Sequence, residues 1–328
     1  MKKLLFVALG ISIISAVIVF ANMDNIQYFY LDKDYVGLNK IETIGSKKDK
    51  AIEKKIDNTI TPNNKLEIPN QLNLTINGNK FYPNIRYDKQ EGIDLELHLL
   101  VPNRSDEKPA PLLLTLVAKK TKLLENNLDL LEKKMLARGY AVGKASLRYF
   151  EETSGYPDAY VDAKSAVRFI KANASQYGIN PDKIAVMGSS KNGLFASAVG
   201  TMGNENIFEI GNNLSFDSKV AAVINFAGPT DFMKDKKMDC YSFECEEIDN
   251  QVNIISYLDK NDPPFYMMIG SEDRLIPHEQ MERFKKKCDE LGVAAYYDMI
   301  DGAPHGVAKF LNNDQVGRLV SFLVKYVE

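Results

Sequence analysis

Histidine is scarce. The 328-residue chain has three, His98, His278 and His305, so chemistry that needs an imidazole must use one of them. Cysteine is equally scarce, and none of Cys240, Cys245 and Cys288 stands at metal-ligand spacing from a histidine. An excess of charge is missing too: 41 basic and 44 acidic side chains give −3, without the basic footprint of a general nucleic-acid binder, so no nucleic-acid partner is expected. No internal repeat runs along the chain. What is present is 45% apolar residue in a length that suggests about two domains of ~150 residues, ample for a large core.

The first residues, Met1-Lys2-Lys3, precede an almost unbroken apolar run from Leu4 to Ala21. Two lysines before a short apolar core read as a signal peptide over 1–21, and the same length is just enough for a membrane anchor. Both readings export the protein, to the periplasm or outside, or tethered to the inner membrane through residues 4–21. Residues 22–65, with SKKDKAIEKK among them, lack a sustained period and read as a polar spacer. In an oxidising compartment Cys240 and Cys245 are close enough in sequence to form a disulfide. Cys288 shares one helical face with Met281, Phe284 and Leu291 and reads as a core thiol.

From 66 to 328 one large domain is expected instead of two. Asp94–Leu99 alternates strictly, a half-buried strand with Asp94, Glu96 and His98 on its polar face. Apolar runs over 112–117, 141–145, 183–187, 220–226, 264–269 and 295–300 read as strands. Helical spacing appears at Leu124, Leu128, Leu131 and Met135, over 158–176, around 278–291 and over 314–327. Such alternation predicts an α/β fold with a mostly parallel central sheet and helices on both faces, its chemistry in the loops after the strands.

Three of those loops hold reactive groups. Gly188-Ser189-Ser190-Lys191-Asn192-Gly193 follows a buried strand and opens an apolar helix. It reads either as a nucleophile elbow carrying Ser190 or as a Gly/Ser-rich helix cap. The elbow pattern G-x-S-x-G would put glycine where Asn192 stands. Asp273, in Gly270-Ser271-Glu272-Asp273-Arg274-Leu275-Ile276-Pro277, is either a carboxylate that orients an imidazole or a cap for the helix near Pro277. His305, in Asp301-Gly302-Ala303-Pro304-His305-Gly306, sits on an open loop suited to a general base. The chain order Ser190, Asp273, His305 is that of α/β-hydrolase triads. His278 is expected on the surface, in a helix's first turn.

The stretches DAKSAVRFIKANASQYGINPDKIAVMGSS, VAAVINFAGPTDF, YLDKNDPPFYMMIGSEDRLIP and the GAPHG loop resemble bacterial α/β-hydrolase esterases. These are related to acetyl-xylan and feruloyl esterases and to hormone-sensitive-lipase-like carboxylesterases, and the resemblance covers roughly residues 80–328. It implies the α/β-hydrolase fold, Ser190 as nucleophile, Asp273 as acid and His305 as base, with no metal or organic cofactor. The family's His-Gly-Gly block is replaced here by Val117-Ala118-Lys119-Lys120-Thr121. The resemblance then assigns the oxyanion donors to the backbone N–H of Lys191 and that of Ala118 or Lys119. Lys119, Lys120 and Lys191, with Asn192, either line the substrate mouth and favour an anionic group or point to solvent. The expected substrate is a small-molecule or glycan ester. The alternatives are an inactive homologue that binds through the same cleft, a thioesterase or a peptidase of this fold.

Overall fold

A computed structural model describes residues 74–328 apart from 77, 107, 118–128, 149–155, 204 and 232–252; before residue 74 it describes only the strands Phe6–Ala8, Ser15–Asn22, Asn25–Asp32 and Glu42–Thr43. Contacts divide the chain into two compact units, Met1–Tyr82 and Pro83–Glu328, where the sequence suggested a boundary at residue 65. In the first unit Phe6–Ala8, Ser15–Asn22 and Asn25–Asp32 pair antiparallel as a three-stranded sheet. The apolar run 4–21 and the segment 22–65 thus contain strand where they are described. No helix among the described residues is long and apolar enough to cross a membrane.

The large sheet contains β1 (Asn79–Gln90), β2 (Ile93–Val101), β3 (Ala110–Val117), β4 (Ala141–Ser146), β5 (Ile179–Ser189), β6 (Ala222–Phe226), β7 (Phe265–Gly270) and β8 (Ala295–Ile300). They lie in the order β8-β7-β6-β5-β3-β4-β2-β1. All neighbours from β4 through β8 are parallel, while β2 runs antiparallel to β4. The helices are α1 (Leu130–Ala137), α2 (Tyr156–Ala172), α3 (Lys191–Met202), α4 (His278–Leu291) and α5 (Asn313–Val327). Every residue of β6 and β7 is buried, so both faces of the sheet are covered there, as parallel strands require. This is the α/β-hydrolase fold.

Two faces are drier than the sequence pattern implies. On β2 the expected polar face is packed: Glu96 is buried and His98 half-buried. His98 stands opposite Lys144 of β4, whose ammonium lies 3.5 Å from Glu132 of α1. Burial, with the Lys144 charge adding, pushes the His98 imidazole down to about 4. Asp94, near the start of the strand, stays part-exposed, while Glu96 and His98, further into the sheet, are covered, so the period-two signal marked alternation and not exposure.

The other case is α2, expected over 158–176; the helix ends at Ala172 and a single turn, Ala174–Tyr177, follows. Ala163, Ala166, Val167 and Ile170 are buried as the spacing predicts, but Asp162, Lys164, Ser165 and Arg168 are buried too. The Lys164 ammonium donates to the carbonyls of Met202 (2.8 Å), Glu205 (2.9 Å) and Ile207 (2.7 Å) and pairs with Glu209 at 2.9 Å. Arg168 pairs with Glu209 and donates to the carbonyls of Ile210 and Asn212. A cation at the last carbonyl of α3 also meets the negative end of that helix.

Candidate active site

β5 ends at Ser189 and α3 begins at Lys191, so Ser190 alone makes the turn between them. It does so at φ 57° and ψ −130°, a conformation that costs a non-glycine residue on the order of 1–3 kcal/mol. The turn closes because a Cβ at 188 would overlap the carbonyl of Asn192, and one at 193 would overlap the side-chain oxygen of Asn225. The second close approach therefore falls at Gly193, one position past the place the elbow pattern gives it. Asn192 is accommodated there, with its Oδ1 buried and without a hydrogen-bond partner among the described residues.

β6 supports the elbow from behind. The Ser190 N–H donates to the Phe226 carbonyl at 2.8 Å, just before Ala227 at φ 51°. Asn225, fully buried, donates through Nδ2 to Ser197 Oγ (2.9 Å) and accepts the Gly228 N–H (2.7 Å). Sequence reasoning missed Asn225, although an amide inside the apolar stretch Val220–Phe226 is a visible signal.

Asp273 lies in the loop after β7, and His305 in the loop between β8 and α5. Asp273 Oδ2 is 2.8 Å from His305 Nδ1, and His305 Nε2 is 2.9 Å from Ser190 Oγ. Asp273 Oδ1 accepts the N–H groups of Leu275 (2.9 Å) and Ile276 (3.0 Å). Both donors precede α4, whose N-cap is Pro277, so Asp273 orders the loop and does not cap the helix. Its side chain is 1% exposed against 23% for His305. Burial alone would raise the Asp273 carboxyl, but the His305 hydrogen bond and the two N–H donors outweigh it and hold the group below its ordinary value.

A cavity of about 400 Å³ opens beside His305, lined by Glu272, Arg274, Leu275, Gly302 and Pro304. Lys191, the residue after Ser190, is partly buried, and desolvation pushes its ammonium down to about 8. His278 sits exposed in the first turn of α4 near Glu279 and Glu282, as expected. Cys288 is a buried thiol, its pKa pushed up to about 12 chiefly by burial. Ala118, Lys119, Lys120, Cys240 and Cys245 lie outside the described residues. Among the described residues no acidic, histidine and cysteine side chains cluster as metal ligands.

The BD-FAE family matches residues 117–288, which include Ser190 and Asp273. The chain is similar to a probable carboxylic ester hydrolase, LipM, of Mycobacterium tuberculosis. The two are 30% identical over 143 residues, 39% of this chain and 33% of that protein. It is also similar to the esterase LipC of the same organism, 25% identical over 187 residues, 48% of this chain and 46% of that one. The matches thus span a third to under half of these relatives' lengths. Among solved structures, a truncated carbohydrate esterase from gut microbiota superposes with a TM-score of 0.63 at 21% identity, over 76% of this chain and 96% of that one. A bifunctional GH43-CE protein of Bacteroides eggerthii gives a TM-score of 0.63 at 25% identity, over 76% of this chain and 35% of that one. With the family matched over more than half its length, on a sheet of this order, the chain belongs to the BD-FAE family of α/β-hydrolases.

Proposed function

We propose that the protein is a serine esterase that cleaves carboxylic esters of small molecules or glycans through an acyl-enzyme. The observation that carries this reading is the unbroken chain Ser190 Oγ, His305, Asp273, with contacts of 2.9 and 2.8 Å on a strained strand-to-helix turn. His305 Nε2 takes the Ser190 proton as Oγ attacks the acyl carbon, while Asp273 holds the Nδ1–H tautomer. The backbone N–H of Lys191, at the start of α3, and that of Ala118 or Lys119 stabilise the oxyanion. His305 then returns the proton to the leaving alcohol. A water, deprotonated by the same imidazole, releases the acid and restores Ser190.

Labelling by a fluorophosphonate and hydrolysis of a short-chain nitrophenyl ester test this reading. Both are expected in the wild type and lost in Ser190→Ala. A folded wild type that neither labels nor hydrolyses overturns it in favour of a binding protein. The reading includes export, which rests on Met1-Lys2-Lys3 and the apolar run to Ala21. Fractionation of cells and the mass of the mature N-terminus test that part.

A further inference from the structure

Three backbone segments converge on one amide behind the nucleophile. Asn225, fully buried on β6, is in register with Gly188 of β5 and Met267 of β7. A Cβ at Gly193, in the first turn of α3, would stand 2.4 Å from its Oδ1 and 3.1 Å from the Gly188 carbonyl oxygen. One at Gly228, just past β6, would stand 2.5 Å from the same Oδ1 and 2.6 Å from the Leu194 nitrogen. The chain leaving β6 therefore lies directly on the backbone of α3. Asn225 Oδ1 accepts the Gly228 N–H at 2.7 Å. Its Nδ2 donates to Ser197 Oγ of α3 at 2.9 Å and to the Gly228 carbonyl at 3.3 Å.

Two strained residues meet at this point. Ser190 has φ 57° and Ala227 φ 51°. The Ser190 N–H donates at 2.8 Å to the Phe226 carbonyl, immediately before Ala227. Non-glycine residues stay in that region only where their surroundings over-determine them. The bond from the Gly228 N–H to Oδ1 closes a loop across Phe226 and Ala227 and holds the bend. The bond from Nδ2 to Ser197 ties the bend to α3. On the other side the Ala227 N–H donates to the Met268 carbonyl of β7 at 2.7 Å, so the bend is also fixed to the strand that leads to Asp273. Exchanging a satisfied buried polar pair for apolar groups of the same shape can be nearly neutral in stability. What apolar groups would not supply is direction.

We propose, on the esterase reading above, that Asn225 is a positioning residue for the nucleophile. It touches no reacting atom. By holding the bend after β6 against the first turns of α3, it keeps Ser190 Oγ in line with His305 Nε2, 2.9 Å away.

The test uses Asn225→Ala and Ser197→Ala in the full chain. Ser197→Ala removes only the tie to α3 and leaves the bend closed; it guards against an Asn225→Ala that fails to fold. Measurements, per folded molecule, are kcat and KM for a short-chain nitrophenyl ester and the rate of fluorophosphonate labelling. A third is the low-field proton resonance of the His305 Nδ1–H bonded to Asp273. In Asn225→Ala, kcat and labelling are expected to fall at least about tenfold with KM within about twofold. In Ser197→Ala the fall is expected to be at least about threefold, again with little change in KM. The resonance should stay in both, because the loops of Asp273 and His305 follow β7 and β8 and not α3. Unchanged kcat and labelling in whichever variants fold overturn the proposal. Loss of the resonance also overturns it, since the fault then lies between Asp273 and His305. A folded wild type inert to ester and fluorophosphonate overturns the esterase reading and this proposal with it, whereas an active wild type with unaffected variants overturns the proposal alone.

Discussion

Gly188 and Asn192 meet backbone to backbone across the turn that carries Ser190, and no Cβ fits between them. The start of α3 can fold back over the end of β5 only because residue 188 has no side chain. Gly188→Ala is therefore expected to lower stability by about 1–3 kcal/mol and to reduce ester turnover at least as strongly as it reduces folding. Gly193→Ala should do the same through Asn225, whereas Asn192→Gly should leave both within a few-fold. Denaturant titration alongside a nitrophenyl ester assay checks all three.

Ser190 is held at positive φ, so the strain belongs to the position and not to the hydroxyl. Ser190→Gly should raise stability by about 1 kcal/mol, or about 2–4 °C in a domain of this size, while abolishing hydrolysis. A thermal melt in which this variant is less stable than the wild type contradicts that account.

Asp273 holds the imidazole and two loop N–H groups at once. Asp273→Asn is expected to keep the loop and to lower kcat by about 10⁴, because the amide favours the wrong tautomer. Its folded pKa lies below the ordinary carboxylate value. The native state therefore binds fewer protons there than the unfolded chain, and the stability from Asp273 is fully present above about pH 4. It is lost as pH falls through the depressed folded value. Stability measured between neutral pH and about pH 3 should show a shallower acid limb in Asp273→Asn.

The Lys191 ammonium is pushed down to about 8 by desolvation, so folding opposes its charge. Below that value the lysine is protonated in both states and its burial opposes folding. As pH rises from about 8 toward about 10, the native state sheds the proton before the unfolded chain does, and stability rises. Lys191→Gln should remove that rise, which denaturation midpoints at pH 7, 8, 9 and 10 would reveal.

Much of this architecture was legible because apolar period and element type agree. The helix His278–Leu291 starts and ends where Met281, Phe284, Cys288 and Leu291 place it, and β8 runs over the predicted residues. Ser190, Asp273 and His305 could be picked out because each follows a strand, although their contacts required the fold. The buried charges were not legible. No local pattern marks Lys164 and Arg168 for burial, and the carbonyls at and beyond the end of α3, with the Glu209 carboxylate, that make it tolerable are distant in sequence. Glu96 and His98 were misread for the same reason: alternation records which side a residue takes, and what covers that side, such as Lys144 opposite His98, comes from elsewhere in the chain. The glycine displaced to 193 depends on Asn225, a contact no local pattern encodes.

The cage around Lys164 has a consequence for the nucleophile. α3 begins at the residue after Ser190, and the carbonyl of its last residue, Met202, is gripped by the Lys164 ammonium. About 18 Å of helix thus joins two clamps, a strained corner at one end and a buried cation at the other. A helix held at both ends has less freedom to slide or rotate, and the second hold lies at the end of α3 far from Ser190. Loosening the far clamp, as in Lys164→Met, should let the serine drift out of line with His305 and lower ester turnover in a nitrophenyl ester assay.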